Sequence, residues 1–196
     1  VLTQTRDTDS IEDLCNTVGQ PLPNIEISIR HPTQNTVCAI DEVGEICARG
    51  YSLMLGYNNN SEATKAAIDA DGWLHTGDLG AMDERGYLRV TGRVKEMIIR
   101  GGENLFPAEI ESTLLEHPSV AETAVIGVPD PKWGEIVACF VRPAKGEMVH
   151  RETLLKHCRQ HLSPQKTPAL WIEVDGWPLT GSGKIQKFVL LEQFEA

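Results

Sequence analysis

The feature that most constrains the fold is a change in hydrophobic patterning about halfway along the chain. In the first half, apolar and polar residues alternate in short runs, of which Ile25, Ile27 and Ile29 form the clearest. Gly, Asn and Asp turns separate these runs, and a period of two residues is typical of half-buried strands. We therefore predict a small antiparallel β-barrel or sandwich here, interrupted by one helix near residues 61–70 that Ser61 caps.

The second half mixes the signals of helices and strands. Pro107 suits the first position of a helix that ends before Pro118, and residues 151–162 place apolar side chains at helical spacing. Apolar strands are predicted at 124–128, 136–141 and 170–174, and a closing helix starts at Phe188. This mixture is typical of a compact α+β domain. The predicted fold class is thus α+β, with a small β-barrel subdomain over 1–93 followed by an α+β domain over 94–196.

Composition narrows the classes of function. The chain has 28 acidic and 18 basic residues in 196, a formal charge of −10, so a nucleic-acid partner is not expected because the phosphate backbone would repel it. No run approaches the roughly 20 apolar residues that a transmembrane helix needs. We expect a cytoplasmic protein whose five cysteines are mostly reduced core thiols, since no Cys-x-x-C pair occurs. His157, Cys158 and His161 have a spacing that could hold a metal on a helix, but structural roles are favoured and no metal ligand is assigned.

Three stretches combine glycine with charged residues where no core explains them. The first is 72–78, in which the Asp78 carboxylate could accept both hydroxyls of a ribose. The second joins 92–95 to the glycine pair at 101–102, and its Arg93 is a rigid donor suited to ribose or phosphate oxygens. The third is 178–185, which ends in a glycine-flanked Lys184 but lacks the spacing of a Walker A loop. Taken alone, each stretch is only a weak signal: a turn or helix cap is the favoured explanation for 72–78, a tight turn is an alternative for the second stretch, and a solvated lysine in a hairpin turn is an alternative for the third.

Taken in order along the chain, these stretches resemble the adenylate-forming superfamily. That superfamily includes acyl-CoA synthetases, beetle-type luciferases and the adenylation domains of peptide synthetases. The motifs that carry the resemblance are Gly50-Tyr51, Leu55-Gly56-Tyr57, Glu62-Ala63-Thr64, Gly72-Trp73, Thr76-Gly77-Asp78, Gly92 to Glu96, Gly101 to Glu111, and Thr180 to Lys187. The resemblance covers nearly the whole chain and is strongest to the fatty-acyl-CoA synthetase branch, because peptide-synthetase domains usually differ at Lys95 and after the glycine pair.

The resemblance implies roles for individual residues. Asp78 and Arg93 would bind the ribose of ATP, and Lys95 would be the hinge about which a small C-terminal lid domain swings. Lys184 would enter the active site during adenylation, as the catalytic residue. The residues assigned to CoA are Gly101, Gly102 and Asn104, which would line the pantetheine tunnel, and Trp133 and Arg159, which resemble contacts of related ligases.

The resemblance implies that the chain is part of an ATP-dependent acid–CoA ligase. Such an enzyme forms an acyl-adenylate and then an acyl-CoA thioester from a carboxylic acid, which we expect to be a fatty acid. ATP, CoA and Mg²⁺ are the expected cofactors, with the magnesium ligand in a region upstream of Val1. The phosphate loop and acid pocket of the family are not in this sequence, so we expect the fragment alone to be inactive. Three alternatives stay open, namely transfer to a carrier protein, a luciferase-like oxygenase, and a non-catalytic binding module; a homodimer is also left open.

Overall fold

The computed structural model describes residues 1–195, which divide into two compact units. The first unit is Val1–Lys95 and the second begins at Glu96, two residues after the predicted boundary. A single turn of 3-10 helix, Val94–Glu96, spans this division. The predicted second domain ends at Ala196, which lies outside the described residues.

The first unit is built around four antiparallel strands. Its elements are β1 (Thr3–Gln4), α1 (Ile11–Asn16), β2 (Gln20–Pro21), β3 (Ile25–Arg30), β4 (Gly44–Gly50), α2 (Ser61–Ala67), β5 (Leu74–Met82) and β6 (Leu88–Arg93). The main sheet has the order β3-β4-β5-β6, and β1 pairs with β2 separately. Within residues 1–195 this sheet is open rather than closed into the predicted barrel. Alternation and turns indicate antiparallel pairing, but they do not determine whether the two edge strands meet.

The two faces of this sheet differ in chemistry. On one face Ile29 pairs with Ile46, and these two pack with Leu88 as a small buried core. On the other face Cys47 lies opposite His75 of β5, and the neighbouring Glu45 is only 8% exposed. Strand β4 is therefore buried on both sides, with an apolar face and a polar face.

Three local predictions for the first unit need correction. Helix α1 begins at the N-cap Ser10, whose hydroxyl accepts from the Asp13 amide, in a region where the sequence predicts no element. Strand β5 lies where the sequence indicates only a glycine-rich stretch. The cap of α2 is Asn60 rather than Ser61, because the Asn60 side chain accepts from the Ala63 amide at 2.9 Å.

The second unit places helices on both faces of one sheet. Its elements are β7 (Ile98–Arg100), β8 (Glu103–Leu105), α3 (Pro107–Leu115), β9 (Val120–Asp130), β10 (Gly134–Pro143), α4 (Arg151–His161), β11 (Leu170–Glu173) and α5 (Lys187–Glu195). Strand β10 is central, since it pairs antiparallel with β9, parallel with β11 and, at Gly134, antiparallel with β7. None of the helices in the described part of the chain combines the length and apolar character that a membrane crossing requires. The α+β class predicted from the sequence is confirmed.

Alternate residues of β9 and β10 build two separate cores. Val125 and Cys139 pack with Ile110 and Leu114 of α3 and with Leu154 of α4. The intervening residues turn to the opposite face, where Leu190 of α5 packs against side chains that include Ala124, Ile126, Val128, Ala138 and Phe140. Both faces of this strand pair are thus covered, which explains why its sequence is a nearly continuous apolar run.

The cysteines are free thiols in different environments. Cys47, Cys139 and Cys158 are buried as expected, Cys38 is partly buried, and Cys15 is exposed. Burial raises the pKa of Cys139 and of Cys47 to about 12 and that of Cys158 to about 11. Three of the five residues are therefore core thiols, as predicted for most of them, and Cys15 is an exposed exception.

Adjacent leucines of α3 provide a matched test of the packing. Leu114 is fully buried, whereas Leu115 is 51% exposed. We expect Leu114→Ala to lower the free energy of unfolding by about 2–5 kcal/mol, because it leaves a cavity in the core. Leu115→Ala should change it by less than about 0.5 kcal/mol. Urea unfolding followed by tryptophan fluorescence measures both, and equal effects would contradict this packing.

Thiol alkylation tests the environments of the cysteines. Because the thiolate is the nucleophile, a raised pKa slows the reaction. At neutral pH we expect iodoacetamide to modify Cys15 first, while Cys47, Cys139 and Cys158 stay unmodified until urea exposes them. Peptide mapping by mass spectrometry reads out each site. Rapid modification of Cys47 in the folded protein would show that its thiol is not protonated and buried as described.

Candidate functional site

Thr76, Gly77 and Asp78 form a bulge in β5. His75 lies opposite Cys47 and Leu79 lies opposite Glu45, so three residues of β5 face the single residue Ile46 of β4. Gly77 has a φ of +73°, a backbone conformation that residues with a Cβ rarely adopt. A bulge of this kind interrupts the regular ladder and re-aims the side chains beside it.

Side chains replace the backbone hydrogen bonds that this bulge interrupts. The amide of Gly77 donates to Glu45 Oε1 at 3.1 Å. The hydroxyl of Thr76 donates to the Ile46 carbonyl at 2.7 Å and accepts from the Asp78 amide at 3.1 Å. Each of the three bulge residues is thus tied by one hydrogen bond or more.

Asp78 and Arg93, the two residues predicted to bind ribose, lie opposite each other on β5 and β6. Arg93 Nε is 3.4 Å from Asp78 Oδ1, and the two side chains are 52% and 45% exposed. In the described part of the chain, neither side chain forms another hydrogen bond or ion pair. The second oxygen of Asp78 and the terminal nitrogens of Arg93 therefore face solvent as acceptors and donors.

Lys184 lies in a tight hairpin in the second unit. The Thr180 amide donates to the Lys184 carbonyl at 2.8 Å, and the Lys184 amide donates to Thr180 Oγ1 at 3.1 Å. The Lys184 side chain is exposed and, among residues 1–195, has no carboxylate within 4 Å. Lys187 differs, since its ammonium group lies 2.7 Å from Glu111 and 3.2 Å from Glu96. Lys184 thus presents a charge that the described residues do not neutralise.

The glycine pair forms the two-residue turn between β7 and β8. Gly101 and Gly102 have φ values of +59° and +87°, as the favoured type I′ hairpin turn requires. The Gly101 amide donates to the Trp133 carbonyl at 2.7 Å, and a Cβ at Gly101 would lie 3.0 Å from the indole ring. Asn104, in β8, pairs with Ile99 of β7. The structure therefore brings Trp133 against the predicted glycine turn.

Two cations that the sequence analysis missed flank Trp133. The guanidinium of Arg100 lies 5.7 Å and the ammonium of Lys132 4.7 Å from the centre of the indole ring, which is attracted to positive charge. The sequence contained a signal for both, because Arg100 directly precedes the glycine pair and Lys132 directly precedes Trp133. Arg159 lies exposed in the last turn of α4, and no hydrogen bond or ion pair joins it to this group within residues 1–195.

The polar face of the first unit holds three potential metal ligands close together. Single ligand atoms of Glu45, Cys47 and His75 lie within 4.8 Å of one another. His75 Nδ1 is 2.8 Å from Glu45 Oε2, and the other oxygen of Glu45 is occupied by the Gly77 amide. Burial, together with the Glu45 carboxylate, raises the pKa of Cys47, which opposes the thiolate that a metal needs. In this structure the three side chains form a hydrogen-bonded network.

The second potential metal cluster, on α4, has structural contacts. His157 Nε2 lies 2.8 Å from the Thr113 carbonyl, to which it donates. Cys158 is fully buried in the core against α3, and the centre of the His161 ring lies 4.9 Å from that of His157, with the two rings tilted by 50°. This arrangement agrees with the structural roles favoured from the sequence.

Comparisons with known proteins show what the chain is similar to. Residues 109–184 match the model of the AMP-binding enzyme C-terminal domain. The putative acyl-CoA synthetase YngI of Bacillus subtilis is 45% identical over 193 residues, which are 98% of this chain and 35% of that protein. ATP-bound MatB of Rhodopseudomonas palustris is 35% identical with a TM-score of 0.90, covering 99% of this chain and 38% of MatB.

A further solved structure is the o-succinylbenzoate CoA synthetase MenE of Bacillus subtilis in complex with its acyl-adenylate intermediate. It is 36% identical with a TM-score of 0.84, and the match covers all of this chain and 38% of MenE. The chain thus spans somewhat more than a third of the length of these relatives. Residues 109–184 thus match the C-terminal domain of AMP-binding enzymes, and the proteins similar to nearly the whole chain include ones named as an acyl-CoA synthetase and a CoA synthetase.

Proposed function

We propose that the polypeptide containing this chain is an AMP-forming acid–CoA ligase. It would join a carboxylate to the α-phosphate of ATP with release of pyrophosphate, and then transfer the acyl group to the thiol of CoA. The observation that carries this proposal is the similarity to acyl-CoA synthetase YngI over 98% of the chain. A fatty acid is the proposed substrate, although MenE is named for an aromatic acid.

Asp78 and Arg93 are proposed to hold the ribose of ATP. Their contact leaves one carboxylate oxygen and several guanidinium hydrogens facing solvent. A carboxylate can accept from both ribose hydroxyls, and a guanidinium can donate to ribose or phosphate oxygens. The pair therefore offers both kinds of polar group that a nucleotide sugar needs.

Lys184 is proposed as the catalytic cation of the adenylation step. That step brings two anions together, the acid carboxylate and the α-phosphate. An ammonium group with no partner in the described chain can offset their repulsion and stabilise the negative charge that grows on the phosphate oxygens. Mg²⁺ would supply further charge neutralisation when bound, and no residue of this chain is assigned to it.

The second unit is proposed to serve both half-reactions by rotating about Lys95. Thioester formation requires a thiol at the acyl carbonyl, so a different face of the lid must then be presented. Gly101, Gly102 and Asn104 would line the path of the pantetheine arm. Trp133 and Arg159 would contact CoA, and we add Arg100 and Lys132, whose charges beside the indole suit the phosphates of CoA.

The reaction itself is tested with the full-length polypeptide. We expect pyrophosphate release that depends on a carboxylic acid, followed by acyl-CoA formation when CoA is supplied. Fatty acids of increasing length and aromatic acids should be compared, with carrier-bound pantetheine and simple amines as alternative acceptors. Pyrophosphate release without use of free CoA would favour the carrier-protein alternative. No release with any acid would contradict the proposal.

Lys184→Ala separates the two half-reactions. We expect adenylation to fall by about 10²–10³-fold, as for the loss of one group that stabilises charge in a transition state. Thioester formation from supplied acyl-AMP should stay largely intact, because Lys184 is not assigned to that step. Lys156→Ala, which removes an exposed lysine of α4, is the matched control. Equal loss in both half-reactions would contradict the assignment of Lys184.

A further inference from the structure

The buried carboxylate of Glu45 is unusual because it lies in the middle of a sheet, outside the residues assigned to ligand binding. Glu45 is 8% exposed, and burying a carboxylate is costly unless hydrogen bonds satisfy it. Both of its oxygens are used, Oε1 by the Gly77 amide at 3.1 Å and Oε2 by His75 Nδ1 at 2.8 Å. Its partners are therefore the bulge and the residue just before the bulge.

His75 is itself held between two carboxylates. Because an ionised carboxylate only accepts, Nδ1 carries a hydrogen toward Glu45. On the other side of the ring, Nε2 lies 3.6 Å from Asp69 Oδ2, and Arg30 lies 3.7 Å from the same oxygen. Burial works to raise the pKa of Asp69, but the amides of Trp73 and Asp71 and the His75 ring outweigh it and keep that pKa below its usual value.

Trp73 borders this network. The guanidinium groups of Arg30 and Arg49 each lie 4.6 Å from the centre of its indole ring. Asp69 Oδ1 accepts from the Trp73 amide at 2.8 Å, which ties the segment before β5 to the same carboxylate that contacts His75. His75 is thus hydrogen-bonded to Glu45 on one side and lies close to Asp69 on the other, and its bond to Glu45 holds that carboxylate in one orientation.

We infer that Glu45 and His75 are positioning residues for Asp78. Glu45 accepts from the amide of Gly77, the residue with a positive φ that directly precedes Asp78 in the bulge. His75 keeps the Glu45 carboxylate turned toward that amide. This inference rests on the proposed role of Asp78 in binding ribose and assigns two further residues to that site.

The test compares ATP with 2′-deoxyATP in the full-length enzyme. If Asp78 accepts from both ribose hydroxyls, kcat/KM is lower for the deoxynucleotide, and the ratio measures how well Asp78 is placed. We expect Glu45→Ala to raise the KM for ATP about tenfold, the usual scale for losing a hydrogen bond to a charged group, and to lower the ATP preference. His75→Gln should also lower the ATP preference. Glu45→Gln keeps an oxygen for the Gly77 amide, so its ATP preference should be higher than that of Glu45→Ala.

Two controls separate positioning from a general loss of structure. Glu26→Gln removes another carboxylate of the same sheet, which pairs with Arg49 at 2.7 Å and does not touch the bulge, so the ATP preference should not change. In an Asp78→Ala background, the Glu45→Ala effect on the ratio should disappear, because the group it positions is absent. Hydrogen exchange of peptides covering residues 74–82 should also be faster in Glu45→Ala, and this readout does not depend on activity.

The outcomes distinguish the two levels of the proposal. If Asp78→Ala lowers the ATP preference but folded Glu45→Ala and His75→Gln variants leave it unchanged, the positioning inference is overturned and the ribose role stands. Additive effects of Glu45→Ala and Asp78→Ala would overturn it as well. If Asp78→Ala itself leaves the ratio unchanged, the proposed role of Asp78 fails, and the positioning inference fails with it.

Discussion

The need to satisfy backbone hydrogen bonds is the constraint on which this structure depends. Antiparallel strands pair their amides and carbonyls wherever the ladder is regular, and a buried group left without a partner is costly. Three of the proposed functional residues lie where the ladder is interrupted: Asp78 in the bulge of β5, Gly101 in a hairpin turn, and Lys184 in the turn closed by Thr180. At each interruption a side chain or a neighbouring strand takes over the missing bonds, so the irregular backbone is held in place.

The two units meet this constraint with different amounts of apolar burial. In the second unit, β9 and β10 bury alternate residues on opposite faces, against α3 and α4 on one side and α5 on the other. In the first unit, only one face of the β3–β4 pair is apolar, and the other holds Glu45, Cys47 and His75. Buried polar side chains specify one arrangement of a core only when each of them has a hydrogen-bond partner. Here hydrogen bonds join the three side chains.

The cationic side chains fall into two groups, those paired with carboxylates and those without a carboxylate partner in residues 1–195. Arg49 pairs with Glu26, and Lys187 pairs with two glutamates, so these cations stabilise their own units. Lys184, Arg100 and Lys132 differ, since none of them forms an ion pair with a carboxylate in residues 1–195. Two of these three lie beside an exposed indole and the third in a glycine-flanked turn. In a chain with a formal charge of −10, these three side chains are local positive groups that attract anions.

The sequence alone determined the local elements and the motifs. Alternation at Ile25 to Ile29 set β3, Pro107 set the start of α3, and the apolar runs set β9 and β10, because period and capping chemistry are local properties. The tertiary structure decided what lies beside what: that the first sheet stays open, that β5 bulges at Gly77, and that Arg100 and Lys132 flank Trp133. The bond from Gly77 to Glu45 joins residues 32 positions apart, and no local pattern encodes such a contact. Only the register of β4 against β5, with its shift between Glu45 and Cys47, brings those atoms together.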